Sequence, residues 1–383
     1  MRTDLRFNIF VCVFLLVFNA LLLFIWHDAQ AKPELGDAYI YSLATEHPGA
    51  DIPSPFMFRQ MSPRIVYIAD NTLHWGKTFG WAMLTYGALT ITQILFFFMM
   101  RITVGLNRFT AFIGTLFLTC TYWFTLFNYQ DVWLVEPLNS LFTTAALWAL
   151  LSRRYVWFIV TVVVGSLNKE AVLLLLPLYP ILLLNDGKKL RSKEVVISLL
   201  TVVAVGGLYA LYRKGILTSI NSTRTINPLL GPFGSPLENV HSAAYPRRGF
   251  YEDVFSIYYF VWVAVLYGWY KLSQSKKGQS RLSIIGIYWL LVVTVISFLV
   301  TDMPRMYAWA APIIILSYAV VVNHAKEKDR IWVLLSLLLY AAMNFTWILP
   351  PQATEFSLLA LAVMLPIINS RPVDAVRQTA LYG

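Results

Sequence analysis

Between Gly36 and Arg64 the chain reads GDAYIYSLATEHPGADIPSPFMFRQMSPR, a short polar interval in an otherwise apolar protein. Two kinds of chemistry are on offer in it. Asp37 is a carboxylate able to take a proton from a hydroxyl. Arg59, hemmed by Phe56, Phe58 and Met61, and Arg64 carry planar guanidinium forks shaped for phosphate oxygens. Further along, Asp131 stands in NYQDVWLVEP, with Glu136 and Pro137 about a turn deeper. Lys169 and Glu170 stand in LNKEAVLLLLP, and Arg305 in TDMPRMY beside Asp302. Each also has a plainer role open to it. Asp37 can cap a helix, and the arginines and other terminal charges can anchor segments at a headgroup layer. Glu34, Glu46 and Asp51 read as solvated loop acids.

The elements that must position these residues are set by composition. Of 383 residues, 58% are hydrophobic and 13% charged, about half the charge of a soluble domain. Apolar runs near 20 residues, the length that crosses a hydrocarbon core as a helix, recur along the sequence. The fold class expected is all-α: a polytopic membrane protein with about twelve spans (range about 10 to 13), at 7–26, 79–100, 109–128, 132–151, 155–168, 171–185, 195–212, 254–270, 282–300, 306–323, 331–349 and 356–369. An even number puts both termini on one side. Basic clusters at Arg2/Arg6, Arg101/Arg108, Arg153/Arg154, Lys188–Lys193, Lys271–Arg281, Lys326–Arg330 and Arg371/Arg377 then all fall in the cytoplasm. They hold nineteen of the 30 Lys and Arg, as the positive-inside rule requires. A net charge of +10 distributed in this way points to membrane orientation and not to nucleic acid. Ionisable groups are nearly absent from mid-span and gather at the outer ends, which favours chemistry at the outer surface over a proton path through the bilayer.

Residues 155–185 are expected to form a hairpin turning at Asn168-Lys169-Glu170, with Lys169 and Glu170 facing outward. A single helix there would run about 46 Å, too long for one crossing. Ala29-Gln30-Ala31 resembles a signal-cleavage site, but the preceding apolar stretch exceeds the usual 7–15 residues, so an uncleaved anchor is expected. The sizeable non-membrane pieces are outer loops 27–78 and 213–253, the second holding the triplet Asn221-Ser222-Thr223. Cys12 and Cys120 both lie in apolar runs, which offers neither a disulfide framework nor a zinc cluster.

The first loop is expected to be structured. Ser62-Pro63 reads as an N-cap followed by proline at the first helical position. After it Ile65, Ile68, Ala69, Thr72 and Leu73 make one mostly apolar stripe at helical spacing. A helix lying in the outer interface fits that pattern. Upstream, Asp37 precedes AYIYSLATE, a second short helix.

The order of these features is a first apolar helix, GDAYIY opening a long outer loop, PFMFRQMSP, an Asp at the start of a later helix, and LNKEAVLLLLP. Over roughly residues 1–185 this resembles the type C (GT-C) membrane glycosyltransferases, and is similar to bacterial members related to the protein-mannosyltransferase and lipid A aminoarabinose-transferase group. The resemblance implies a transmembrane catalytic module over 1–185, followed by further membrane helices over 186–383. It implies inverting transfer of a sugar from a polyprenyl-phosphate donor to a lipid, glycan or protein acceptor on the extracytoplasmic face of the cell membrane. Asp37 matches the family's first-loop general base, and Arg59 and Lys169 match cations on the carrier phosphate. Glu170, Arg64, Asp131 and Arg305 complete the substrate-binding candidates. Many members carry paired acids where this chain has Gly36-Asp37, so no metal and no other cofactor is expected. The residues suit the reaction on their own terms. A phosphate ester leaves readily, so the site needs chiefly a base for the acceptor hydroxyl and cations at the departing phosphate. An O-antigen-type polymerase or ligase, favoured by Arg224, Arg247 and Arg248 in the later loop, and a transporter or flippase of lipid-linked sugars are the alternatives.

Overall fold

The computed structural model describes residues 2–27, 36–48, 52, 56–219, 257–273, 281–297, 303–323 and 330–346. Every regular element among them is helical. In chain order they are α1 (Arg2–Trp26), α2 (Gly36–Glu46), α3 (Met61–Leu73), α4 (Lys77–Phe98), α5 (Arg108–Cys120), α6 (Phe127–Gln130), α7 (Glu136–Leu151), α8 (Tyr155–Ser166), α9 (Leu178–Asn185), α10 (Lys193–Ser219), α11 (Val261–Ser273), α12 (Arg281–Ser297), α13 (Met303–Ala308), α14 (Ala311–Val322) and α15 (Arg330–Thr346). Short 3-10 turns at Phe56–Phe58 and Glu170–Leu175 and π-turns at Met99–Thr103 and Tyr122–Leu126 interrupt them. The expected span 356–369, loop residues 220–253 with their triplet and arginines, and Glu34 and Asp51 lie outside the described residues.

Among the described residues, Asp4–Trp26, Lys77–Thr103 and Lys193–Thr218 are long and apolar enough to cross a membrane. A fourth is present if Arg108–Cys120 and Tyr122–Gln130, bent by 67°, count as one span. α1 and α10 turn Leu5, Ile9, Val13, Val17, Leu21 and Phe24, and Val196, Leu200, Val203, Leu208 and Leu211, to the surroundings. Water would penalise such faces; acyl chains would not. Among the described residues, the other expected spans are shorter helices or broken ones. The span expected at 132–151 is helical only from Glu136, where Pro137 can start a helix without losing a bond. The one expected at 306–323 is split between α13 and α14.

The chain divides into two compact units. One comprises Met1–Val13, Gln93–Leu126 and Asn239–Gly383; the other comprises Phe14–Thr92 and Phe127–Glu238. Each draws on separated stretches of sequence. In the first unit an aromatic core forms where Phe117 of α5 meets Tyr318 of α14 and Tyr340 of α15, with ring centroids 4.6 and 5.0 Å away. α5 stops at Thr121, and the freed N–H of Tyr122 donates to Asn344 Oδ1 at 2.7 Å. That satisfies a backbone donor at a helix break in an apolar setting.

In the second unit α7 and α8 form an antiparallel pair, and the chain turns back after α8 at Leu167–Lys169, as the hairpin reading expects. Gly165 lets the pair approach closely. A Cβ there would lie 2.8 Å from Phe142 Cβ, an atom fixed to backbone and unable to swing aside. Gly165→Ala is therefore expected to lower stability by about 1–3 kcal/mol, the usual cost of overpacking. Thermal unfolding of the purified protein in detergent reads this out, and an unchanged midpoint would show that the pair can separate without loss.

Candidate functional site

The first loop is a packed structure. Ala38 and Tyr41 of α2, Val66 of α3, and Trp81 and Ala82 of α4 share one buried core with residues Val132, Trp133, Leu134 and Val135. Trp81 Nε1 donates to Thr45 Oγ1 at 3.2 Å, tying α4 to α2. A second core holds Ala44, Ile52, Met57 and Phe58, with Ile216 and Leu217 of α10 packed on it. α3 begins at Met61, two residues earlier than the sequence suggests. Its N-cap position is Gln60, with no side-chain cap, so Ser62 is not the cap. The Ser62 hydroxyl instead donates to Asn168 Oδ1 at 2.6 Å, and Asn168 Nδ2 donates to the Val135 carbonyl at 2.9 Å. α3 buries Ser62, Pro63 and Val66 and leaves Ile65, Ile68 and Leu73 exposed. The expected apolar stripe thus faces outward, as an interfacial helix requires.

Asn168 pins the turn after α8 beneath α3, and this delivers the next two residues to a buried polar cluster. Arg59 donates through Nε to Glu170 Oε2 at 3.1 Å and through Nη2 to Glu170 Oε1. This is the bidentate arrangement that a guanidinium and a carboxylate form best. Its Nη1 donates to the Tyr41 hydroxyl at 3.0 Å, and its Cζ lies 5.3 Å from the Phe56 ring centroid. Beside it Lys169 Nζ donates to Glu136 Oε1 at 2.5 Å; the two side chains are only 3% and 8% exposed. Glu136 sits in the first turn of α7, where the helix dipole favours a carboxylate. The Asn168 and Lys169 side chains at this turn are buried. An ammonium there needs an anion, and Glu136 supplies it.

Asp37 lies within electrostatic reach of Tyr41. α2 takes in Gly36, so Asp37 lies inside the first turn and not at the cap position. One turn along, the Tyr41 phenol feels the charges of Arg59, Glu136 and Asp37. Burial pushes that phenol up, so Tyr41 stays protonated. Burial would raise the Glu170 carboxyl too, but the Arg59 guanidinium, with Lys169 and a backbone hydrogen bond, outweighs it and holds the group below the usual carboxylate range. A carboxyl depressed in the folded state adds stability above its unfolded value near 4.3, lost as pH falls through the folded one. Wild type is therefore expected to lose thermal stability on acidification below about pH 4, and Glu170→Gln to show a shallower loss over that window. Parallel slopes for the two would mean the pair contributes nothing.

Of the residues singled out in the sequence, Arg59, Lys169 and Glu170 gather here, with Asp37 in electrostatic reach of Tyr41. Arg64 is exposed on α3. Asp131 accepts from the Trp133 N–H at 3.3 Å in the turn before α7. Arg305 is carried by α13, in the other unit. Sequence reading missed Tyr41 and Asn168, and gave Glu136 no partner. It also ended a span at 212 and opened a loop at 213, whereas α10 runs on to Ser219. The signal lay in the spacing: Tyr209, Tyr212 and Arg213 stand at i, i+3 and i+4, a polar stripe on one face of an apolar helix. Among the described residues no three His, Cys, Asp or Glu side chains converge as metal ligands. Comparison with protein-family models, with curated proteins and with solved structures finds no match.

Proposed function

We propose that the protein is a multi-pass membrane glycosyltransferase of the type C kind. In this reading it transfers a sugar from a polyprenyl-phosphate donor to a lipid, glycan or protein acceptor at the extracytoplasmic face of the cell membrane. It has about twelve spans and both termini in the cytoplasm. The observation that carries the reading is the meeting of Tyr41, Arg59, Glu136, Lys169 and Glu170 in buried ion pairs built by a packed loop, with Asp37 within electrostatic reach of Tyr41 and apolar residues of α3 and α10 exposed. Asp37 is half-buried and acts as the base on the acceptor hydroxyl. Arg59 and Lys169, each held by a glutamate, keep positive charge where the carrier phosphate departs. No cofactor takes part.

A transporter would use helix breaks to expose backbone groups to its cargo. The break at Thr121 gives no such support, because Asn344 takes the freed N–H. The test is gene deletion followed by mass analysis of envelope lipids, polysaccharide and glycoproteins. Loss of one sugar residue from one class is expected, and it names the acceptor. An unaltered envelope with altered solute uptake would overturn the reading in favour of transport.

A further inference from the structure

The last turns of α10 carry a buried cation that neither ion pair uses. Arg213 is 2% exposed, with its Cζ 4.0 Å from the Phe58 ring centroid. The Tyr212 hydroxyl donates to the Phe58 carbonyl at 3.1 Å, which fixes this turn of α10 against the loop. Arg213 Nε and Nη2 are buried and have no hydrogen-bond partner among the described residues. Arg213 feels Tyr209 and Glu170 electrostatically, but both Glu170 oxygens are taken by Arg59. Buried donors of a charged group are rarely left unmet, because desolvation without compensation is costly. The Nε–Nη2 edge is one that an oxyanion can occupy with two parallel bonds.

We propose that Arg213 is an anion seat whose Nε–Nη2 edge binds the phosphoryl group of an amphiphile lying along α10. The apolar part of the ligand follows from the character of the helix that carries the seat. Val203, Leu208 and Leu211 expose an aliphatic surface on the same helix, suited to an acyl or isoprenoid chain and not to a free ion. Naming the amphiphile as a polyprenyl phosphate rests on the functional reading above; the seat itself does not. Arg59 and Lys169 are each matched by a carboxylate, so Arg213 supplies the cation that a bound phosphate would complete.

The test uses the full-length protein in phosphatidylcholine nanodiscs, with undecaprenyl phosphate, undecaprenol, phosphatidylglycerol and inorganic phosphate as probes, read by native mass spectrometry and thermal unfolding. Undecaprenyl phosphate should bind and raise the wild-type midpoint, and undecaprenol should not. Arg213→Met keeps the packing on Phe58 and removes the charge. It should weaken binding roughly ten- to hundredfold, the worth of a charged hydrogen-bond pair. Its lipid-free midpoint should equal or exceed that of wild type, since removing an unmatched buried charge relieves a cost. Arg213→Lys, which keeps the charge and loses the fork, should fall between. Equal Arg213-dependent binding of phosphatidylglycerol would support the seat and count against the polyprenyl reading. Unchanged undecaprenyl phosphate binding by Arg213→Met would overturn the proposal. So would Arg213-dependent binding of inorganic phosphate alone, or a lipid-free Arg213→Met midpoint well below wild type, which would mean the guanidinium is a structural group.

Discussion

Asp37→Asn is expected to lower sugar transfer by ~10²–10⁴-fold while leaving a folded protein that still binds its donor. The amide matches the carboxylate in size and cannot accept a proton at neutral pH. What the fold loses is the favourable meeting of a negative charge with the first turn of α2, worth about 0.3–1 kcal/mol. The two roles thus differ by magnitude: a dipole partner costs a few degrees of stability, a base costs most of the turnover. Glu34→Gln and Asp51→Asn serve as controls and should transfer near the wild-type rate. If Asp37→Asn keeps more than about a third of wild-type transfer, the base lies elsewhere. Glu170 and Glu136 are poor replacements because each is engaged by a cation, which leaves Asp131 as the next carboxylate to test.

The second large effect is on stability. Lys169→Met is expected to cost about 3–5 kcal/mol, because it strips the ion-pair partner from a buried glutamate. Lys169→Met combined with Glu136→Gln should recover a large share of that loss, since removing both charges removes the uncompensated one. Chemical denaturation of the four proteins in detergent closes the double-mutant cycle. A Lys169→Met protein as stable as wild type would show that the ammonium is not buried as described. This changes what the residue means for function. A sequence reading places Lys169 at a hairpin tip, where replacement would spare the fold and weaken donor binding. With its side chain 3% exposed, the same substitution strikes the fold first. Loss of activity in that variant alone is therefore uninformative about phosphate; the same holds for Arg59, the partner of Glu170, and the cleaner probe of the anion is Arg213.

The helical character of the chain and the presence of loop helices were legible because they rest on local information. Apolar runs, the turn after α8 and the stripe on α3 are written in periodicity and length. So was the short list holding Asp37, Arg59, Lys169 and Glu170, since charged residues in a greasy chain are few. Their partners were not legible. Arg59 and Glu170 are distant in sequence and meet only because Asn168, held by Ser62 and the Val135 carbonyl, fixes where the turn lands. Ser62 looked like a cap because the local pattern offers its hydroxyl nothing better; tertiary contact offers Asn168. Arg213 was read as the first residue of a loop because a charge usually ends a span. Packing of Ile216 and Leu217 onto the second loop core carries the helix past it instead.

The central claim of the proposed function is that this cluster moves a sugar off a lipid phosphate. The most direct measurement is made on the purified protein in proteoliposomes supplied with a panel of polyprenyl-phosphate sugars and an envelope-lipid extract as acceptor, following release of polyprenyl phosphate and the anomeric configuration of the product. Release that depends on acceptor, inversion at the anomeric carbon, and loss of both with Asp37→Asn are the predicted results. Passage of intact lipid-linked sugar across the bilayer without release of polyprenyl phosphate would contradict the account.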